Sequence, residues 1–366
     1  MKTLSVLLFS LNPILWGSFY AAGKFSLGFA DPFVFSTAEL AVAAVPALVI
    51  LAATWRRLNF QVVRRGVVLG MVLYAGVLTS TWALAYTTAT DTAFYPAING
   101  FVAALIAWLI FRRPVGWVTW SAGLLSVLGA MLLISQVTKG GGHLLGDGIG
   151  LAAAVIYTIY IFCADKLSSG DQRSLLPMFA TEVVTMAVLS AVATGVSGHA
   201  RGLTAAGFGS VWPWIVYAGL ATTFLPTAIS IFFQRYINPV TVAFLYVLEP
   251  VWGALIAHLG LGETLTIGGY LGGALIVSGA VLNTWLQEPE AGSEPVRDAG
   301  RAIGGAILGV GLLVGSIGRL AQARVEYMAD RARRLRLPAT SRPLAGMSRQ
   351  QPTLSSGAVS RALSRT

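Results

Sequence analysis

Charge is what this sequence has least of. Only 11% of its 366 residues are Asp, Glu, Lys or Arg, against about 25% in a soluble domain, so a water-facing surface of this size cannot be built from it. Cysteine is nearly missing too. Cys163 stands alone, which excludes an intramolecular disulfide and any multi-cysteine metal site. The three histidines, His143, His199 and His258, are scattered without metal-ligand spacing, and no phosphate loop or nucleophile elbow is present. An ATP-driven pump is therefore excluded for this chain. Neither enzyme activity nor a cofactor nor a metal is expected.

What is there instead is hydrocarbon. Apolar residues make up 55% of the chain, and the mean hydropathy is +0.72. Uncharged or nearly uncharged runs of about 20 residues follow one another, each long enough for a helix to cross a bilayer core. The runs predict ten helices, at 4–23, 30–53, 67–86, 92–111, 116–136, 146–165, 175–196, 211–233, 239–259 and 265–286. The fold class is an all-α polytopic membrane protein. Lys2 before an apolar run suggests a signal peptide, but the run's length, Pro13 and Trp16 fit a first span better.

The net charge of +10 has a location. Twelve of the 25 Lys and Arg lie after Leu286. Lys2, Arg56, Arg57, Arg64, Arg65, Arg112, Arg113, Lys166, Arg173 and Arg235 fall on one side of the predicted helices, and only Lys24, Lys139 and Arg201 on the other. That asymmetry encodes orientation, not a nucleic-acid groove: a multi-pass protein of the cell membrane with both termini cytoplasmic.

The chain also contains itself twice. Tyr86–Leu132 overlays Tyr236–Leu282 at an offset of 150 without a gap, with 14 of 47 positions identical, among them Ala93-Phe94/Ala243-Phe244 and Gly129-Ala130/Gly279-Ala280. Upstream the echo is fainter: AGKFS (Ala22–Ser26) matches ADKLS (Ala164–Ser168), and TAEL (Thr37–Leu40) matches ATEV (Ala180–Val183). The expected domains are a five-helix repeat over 1–138, a second over 139–286, and a basic tail over 287–366. An odd number of helices inverts the second repeat in the membrane. Inverted repeats are a recurring plan of secondary transporters, with the substrate site near the midplane between the halves.

Five plus five helices, WGSFYAAGK at the end of the first, INP before the ninth, LEPVWGALIA within it, LGE after it and GALIVSGAVL in the tenth resemble the EamA-type branch of the drug/metabolite transporter superfamily over Leu4–Leu286. The resemblance implies export of small metabolites, such as amino acids, from a central cavity without ATP hydrolysis. It does not transfer a substrate, because one fold hosts many.

Glu249-Pro250 is the most distinctive pair. Pro250 weakens the ninth helix, and Glu249 is costly facing lipid, so it faces protein or a water-filled cavity. It either holds a neighbouring helix or meets substrate. The matching place in the first repeat is Asn99-Gly100, with Pro96 just before. Glu39 in the second helix and Glu182 in the seventh are further buried acids, read either as packing through Ser, Thr or Tyr or as functional. The resembled family usually carries arginine at the Glu39 position. An acid there implies a cationic or amine-bearing solute, or protons as coupling ion. Trp16, Tyr20, Tyr95 and Tyr246 are candidate aromatic lining for cation–π contacts. The substrate-binding or coupling candidates are thus Trp16, Tyr20, Glu39, Tyr95, Asn99, Glu182, Tyr246 and Glu249, with Pro96, Gly100 and Pro250 as helix-break or gating positions. Lys24 and Lys166, at the ends of the first and sixth helices, read as snorkelling lysines.

Small residues recur at helical spacing in GLLSVLGA and GALIVSGA (from Gly123 and Gly273), on the fifth and tenth helices. They form a homodimer face or pack within one chain, and both readings stay open. In the tail, the apolar run 302–318 and the Arg-rich stretch after it are expected to lie against anionic lipid, with a disordered end. The competing function is a membrane receptor or lipid-binding scaffold without net transport.

Overall fold

Polar residues placed before apolar runs start the helices. In the computed structural model, which describes residues 8–137, 144–169, 171–198, 205–261 and 267–286, Asp31 accepts from the Phe33 amide at 2.9 Å and Pro32 opens α2 (Pro32–Thr54). Asn59 accepts from the Val62 amide at 3.0 Å and starts α3 (Phe60–Tyr86). Such caps satisfy amides that the first helical turn leaves unpaired. Before these lies α1 (Asn12–Ser26) and after them α4 (Ala89–Phe94), α5 (Asn99–Leu109), α6 (Trp117–Val137), α7 (Leu144–Ser168) and α8 (Leu175–Ser197). Then come α9 (Ala205–Tyr217), a π-helical stretch (Ala218–Phe224), α10 (Leu225–Phe233), α11 (Pro239–Tyr246), α12 (Glu249–Leu261) and α13 (Ile267–Leu286). All of the described residues fall within the compact unit Met1–Leu313. The tail expectations, Glu263, His143 and His199 lie outside the described residues.

Among the described residues each of the ten runs contains helix, and there is no strand. Among the described residues, seven helical stretches are long and apolar enough to cross a membrane; Trp117–Leu132 and Ile267–Asn283 are apolar but shorter. The surface is that of a protein in hydrocarbon. Val49 is 66% and Val196 85% exposed, while Asn12, Glu39 and Glu182 are fully buried. Water would favour the reverse.

The repeat is visible in the backbone. Thr88 caps α4 by accepting from the Asp91 amide at 2.9 Å, and Asn238, 150 residues on, caps α11 by accepting from the Val240 amide at 2.9 Å. Both runs then break. A 3₁₀ turn over Tyr95–Ile98 separates α4 from α5, and Val247-Leu248 separates α11 from α12. Pro96 explains the first break, because it removes a donor and its ring clashes with the preceding turn. Pro250 follows the second break directly. It is the second residue of α12, in the first turn, where an amide hydrogen has no partner to lose. Gly100 is the second residue of α5, directly after the first break. It admits the Phe244 ring, which would lie 2.8 Å from an added Cβ.

The two halves meet along related helices. α6 packs on α13, and α2 on α8. A Cβ at Gly279 would come within 2.6 Å of the Ala122 carbonyl, so Gly279 packs within the chain, whereas Gly273 has nothing within 4 Å of an added Cβ. One pair of equivalent contacts is unequal. α1 runs closely along α12, whereas α7 touches α5 only lightly.

Candidate functional site

Four of the eight binding or coupling candidates meet in one place. Trp16 and Tyr20 from α1, Glu39 from α2 and Glu249 from α12 line a central cavity together with Tyr157 of α7 and Thr222, Thr223 and Thr227 around the π-helical stretch. About 30 Å³ of it is open to the centre of a water molecule, room for about two waters and too little for a metabolite.

The two acids in its wall are held differently. The Tyr20 hydroxyl donates to Glu249 Oε1 at 2.5 Å. Glu249 opens α12, where the amide ends of the helix favour an acid. Glu39 is fully buried, and neither of its carboxylate oxygens has a hydrogen-bond partner among the described residues. A buried carboxylate without partners is costly. The backbone holds it there all the same: α2 packs on the π-helical stretch so closely that a Cβ at Gly219 would overlap the Glu39 carbonyl. Tyr157 shares the cavity wall with both acids.

Trp16 is fixed between rings. It stacks on Tyr246 at 4.8 Å between centroids and tilts against Tyr157 at 5.5 Å. Tyr246 therefore stands behind the cavity wall. Its hydroxyl accepts from Asn12 Nδ2 at 3.0 Å, and the same amide reaches Ser230 Oγ at 3.0 Å and the Pro226 carbonyl at 3.1 Å. Asn12 thus ties α1 to α10 and α11. Asn12→Ala is expected to cost about 1 kcal/mol, the scale of a hydrogen bond between membrane helices, seen as a lower thermal unfolding midpoint in detergent.

The other candidates lie elsewhere. The Tyr95 hydroxyl donates to Asp147 Oδ1 at 2.6 Å, and Thr158 Oγ1 donates to Asn99 Oδ1 at 3.3 Å. Glu182 accepts from the Tyr160 hydroxyl at 2.8 Å, between α7 and α8, as a packing acid would. Lys24 corrects the snorkelling expectation. Its Nζ turns inward and donates to the carbonyls of Leu84 at 3.0 Å and Thr87 at 2.6 Å.

Tyr157, the three threonines and Asn12 had no signal in the sequence, because hydroxyls in apolar helices are common and only their convergence is informative. The π-helical stretch had none either, though such bulges concentrate at functional sites. A second, larger cavity of about 1080 Å³ opens where α7 stands off from α5, with Arg113, Asp165, Lys166 and Asn238 in its wall.

Comparison with known proteins agrees with this architecture. An "Uncharacterized transporter" of Archaeoglobus fulgidus is 23% identical over 277 residues, covering 75% of this chain and 83% of its own. A second "Uncharacterized transporter" of that organism is 32% identical over 80 residues, 21% of this chain and 29% of its own. A solved crystal structure, 17% identical, superposes with a TM-score of 0.61 over 77% of this chain and 97% of its own, a likeness of fold. The model of the EamA-like transporter family matches residues 3–135 and 144–285, one stretch per repeat. The chain belongs to the EamA-like transporter family, within the drug/metabolite transporter superfamily.

Proposed function

We propose that the protein is a secondary exporter of small amine-bearing metabolites, amino acids among them. It spans the cell membrane ten times with both termini in the cytoplasm and works by alternating access. The observation that carries this reading is Glu39: a fully buried carboxylate with neither oxygen partnered among the described residues, in the wall of a narrow central cavity shared with Glu249, Trp16, Tyr20 and Tyr157. Two acids among three aromatic rings suit an ammonium group, which gains from carboxylates and ring faces alike. An acid left without partners also suits a proton that leaves when the cation arrives.

The basic end of the molecule, with Arg113, Lys166 and Arg173, faces the cytoplasm in this reading. The 1080 Å³ cavity at Arg113 and Lys166 is then the cytoplasmic vestibule, and closure of that end with opening of the other completes a cycle.

The experiment is efflux from proteoliposomes loaded with a mixed pool of amino acids and small organic cations, with and without a pH gradient. The wild type is expected to release amine-bearing solutes selectively and faster with the gradient. Glu39→Gln is expected to lose the gradient dependence. Equal gradient dependence in the two proteins contradicts Glu39 as the coupling group.

A further inference from the structure

The inverted repeat gives each lysine at a helix end a counterpart. AGKFS and ADKLS pair Lys24 with Lys166, and the offset of 150 pairs Leu84 and Thr87 with Gln234 and Ile237. In the first half the joint is made: Lys24 Nζ donates to the carbonyls of Leu84 and Thr87, binding the end of α1 to the corner between α3 and α4. Ala89, beside this joint, is fully buried against Tyr20 and Leu84.

In the second half the same joint is unmade. Lys166 is exposed and donates no hydrogen bond among the described residues. The 1080 Å³ cavity lies where the joint would be, with Lys166, Asn238 and Pro239 in its wall. Pro239 is the counterpart of Ala89. Gln234 is buried at the corner beyond Asn238: its Nε2 donates to the Ile161 carbonyl at 2.6 Å, its Oε1 has no partner among the described residues, and its backbone carbonyl accepts from the Ile237 amide at 2.8 Å, with a second lone pair left to accept.

We propose that Lys24 and Lys166 are reciprocal seals, each closing one end of the transporter. In the conformation described here Lys24 closes its end. In the opposite conformation Lys166 turns onto the Gln234–Ile237 corner, taking up the carbonyls equivalent to those of Leu84 and Thr87, and Lys24 releases its own. Halves of the same plan make two states of similar free energy, so a charge-assisted hydrogen bond present in only one of them tilts the equilibrium. Lysine suits the task, because its flexible stem lets one ammonium group leave a pair of carbonyls and return. The inference rests on the alternating-access reading above.

The test uses the full-length protein in lipid nanodiscs with Cys163→Ala as background. Single reporter cysteines stand at Ala89, in the closed end, and at Val115, in the wall of the open one, and a water-soluble maleimide labels them. Lys24→Met is expected to speed labelling at Ala89→Cys about tenfold, equivalent to about 1.4 kcal/mol, and to slow it at Val115→Cys. Lys166→Met is expected to do the reverse at both reporters, and Lys24→Arg to behave as wild type. Lys166 is exposed, so its variant tests the idea even where Lys24→Met does not fold. Shifts of the same sign from both methionine variants, or no shift from either, overturn the proposal. Flux is measured on the same variants: opposite shifts without flux of any solute keep the seals and remove the exporter, and flux with unmoved labelling removes the seals.

Discussion

Glu249→Gln is expected to lower substrate flux about a hundredfold while leaving the protein folded. The amide keeps the volume of the carboxyl, and its oxygen still accepts from the Tyr20 hydroxyl, which now reaches Glu249 at 2.5 Å. What is lost is the charge. Truncating one partner of a buried charge pair costs about 2–5 kcal/mol, and about 2.8 kcal/mol is a factor of one hundred. Tyr20→Phe removes only the hydroxyl that aims the carboxylate, and a loss of about tenfold is expected from one charged hydrogen bond. Flux and the thermal unfolding midpoint, measured together, check both. Full flux in Glu249→Gln would show that Glu249 is a pin between α1 and α12 and nothing more.

The second large effect is steric. Gly17 lies where α1 crosses α12, and an added Cβ would sit 2.9 Å from the Glu249 carbonyl and 2.9 Å from the Gly253 amide nitrogen. Backbone atoms cannot step aside as a side-chain tip can. Gly17→Val is therefore expected to force α1 off α12 and displace Glu249 and Tyr20 with it. Overpacking of this kind costs about 1–3 kcal/mol, and flux should fall below detection. Gly195 is the control: it lies in α8 with nothing within 4 Å of an added Cβ, and Gly195→Ala should be neutral or stabilise by up to about 1 kcal/mol. The pair is read by thermal unfolding and flux. Equal behaviour of the two variants would contradict the tight crossing.

Helix positions were legible because a bilayer leaves one solution for an apolar run: a helix of about 20 residues. Boundaries were less so. The third helix was expected from 67 and begins at Phe60, since Arg64 and Arg65 read as loop charges while the Asn59 cap five residues before Arg64 carries little weight in sequence. The fourth was expected as one run over 92–111 with a helix-breaking Pro96, and the chain turns at Tyr95–Ile98 around that proline.

The site was legible where burial is expensive. Glu39 and Glu249 stood out because acids are rare in apolar helices, and both line the central cavity. Glu182 stood out for the same reason and pairs with Tyr160 instead. Sequence gives the cost of an acid but not what surrounds it. Lys24 was misread because the default for a lysine near a helix end is the headgroup layer. The carbonyls that draw it inward belong to Leu84 and Thr87, about sixty residues away in the chain.

The central claim is that one site is offered alternately to the two sides of the membrane. Counterflow in proteoliposomes tests it most directly. Vesicles are loaded with a high concentration of an unlabelled amine-bearing solute that efflux has identified, diluted into a trace of the same solute radiolabelled, and sampled over time. A carrier with a single alternating site takes up label against its gradient in a transient overshoot, because each return of the site inward is coupled to unlabelled solute leaving. That overshoot is the predicted result, and Glu249→Gln should abolish it. Label that equilibrates without an overshoot indicates a pore, label that binds without entering indicates a receptor, and either result contradicts the account.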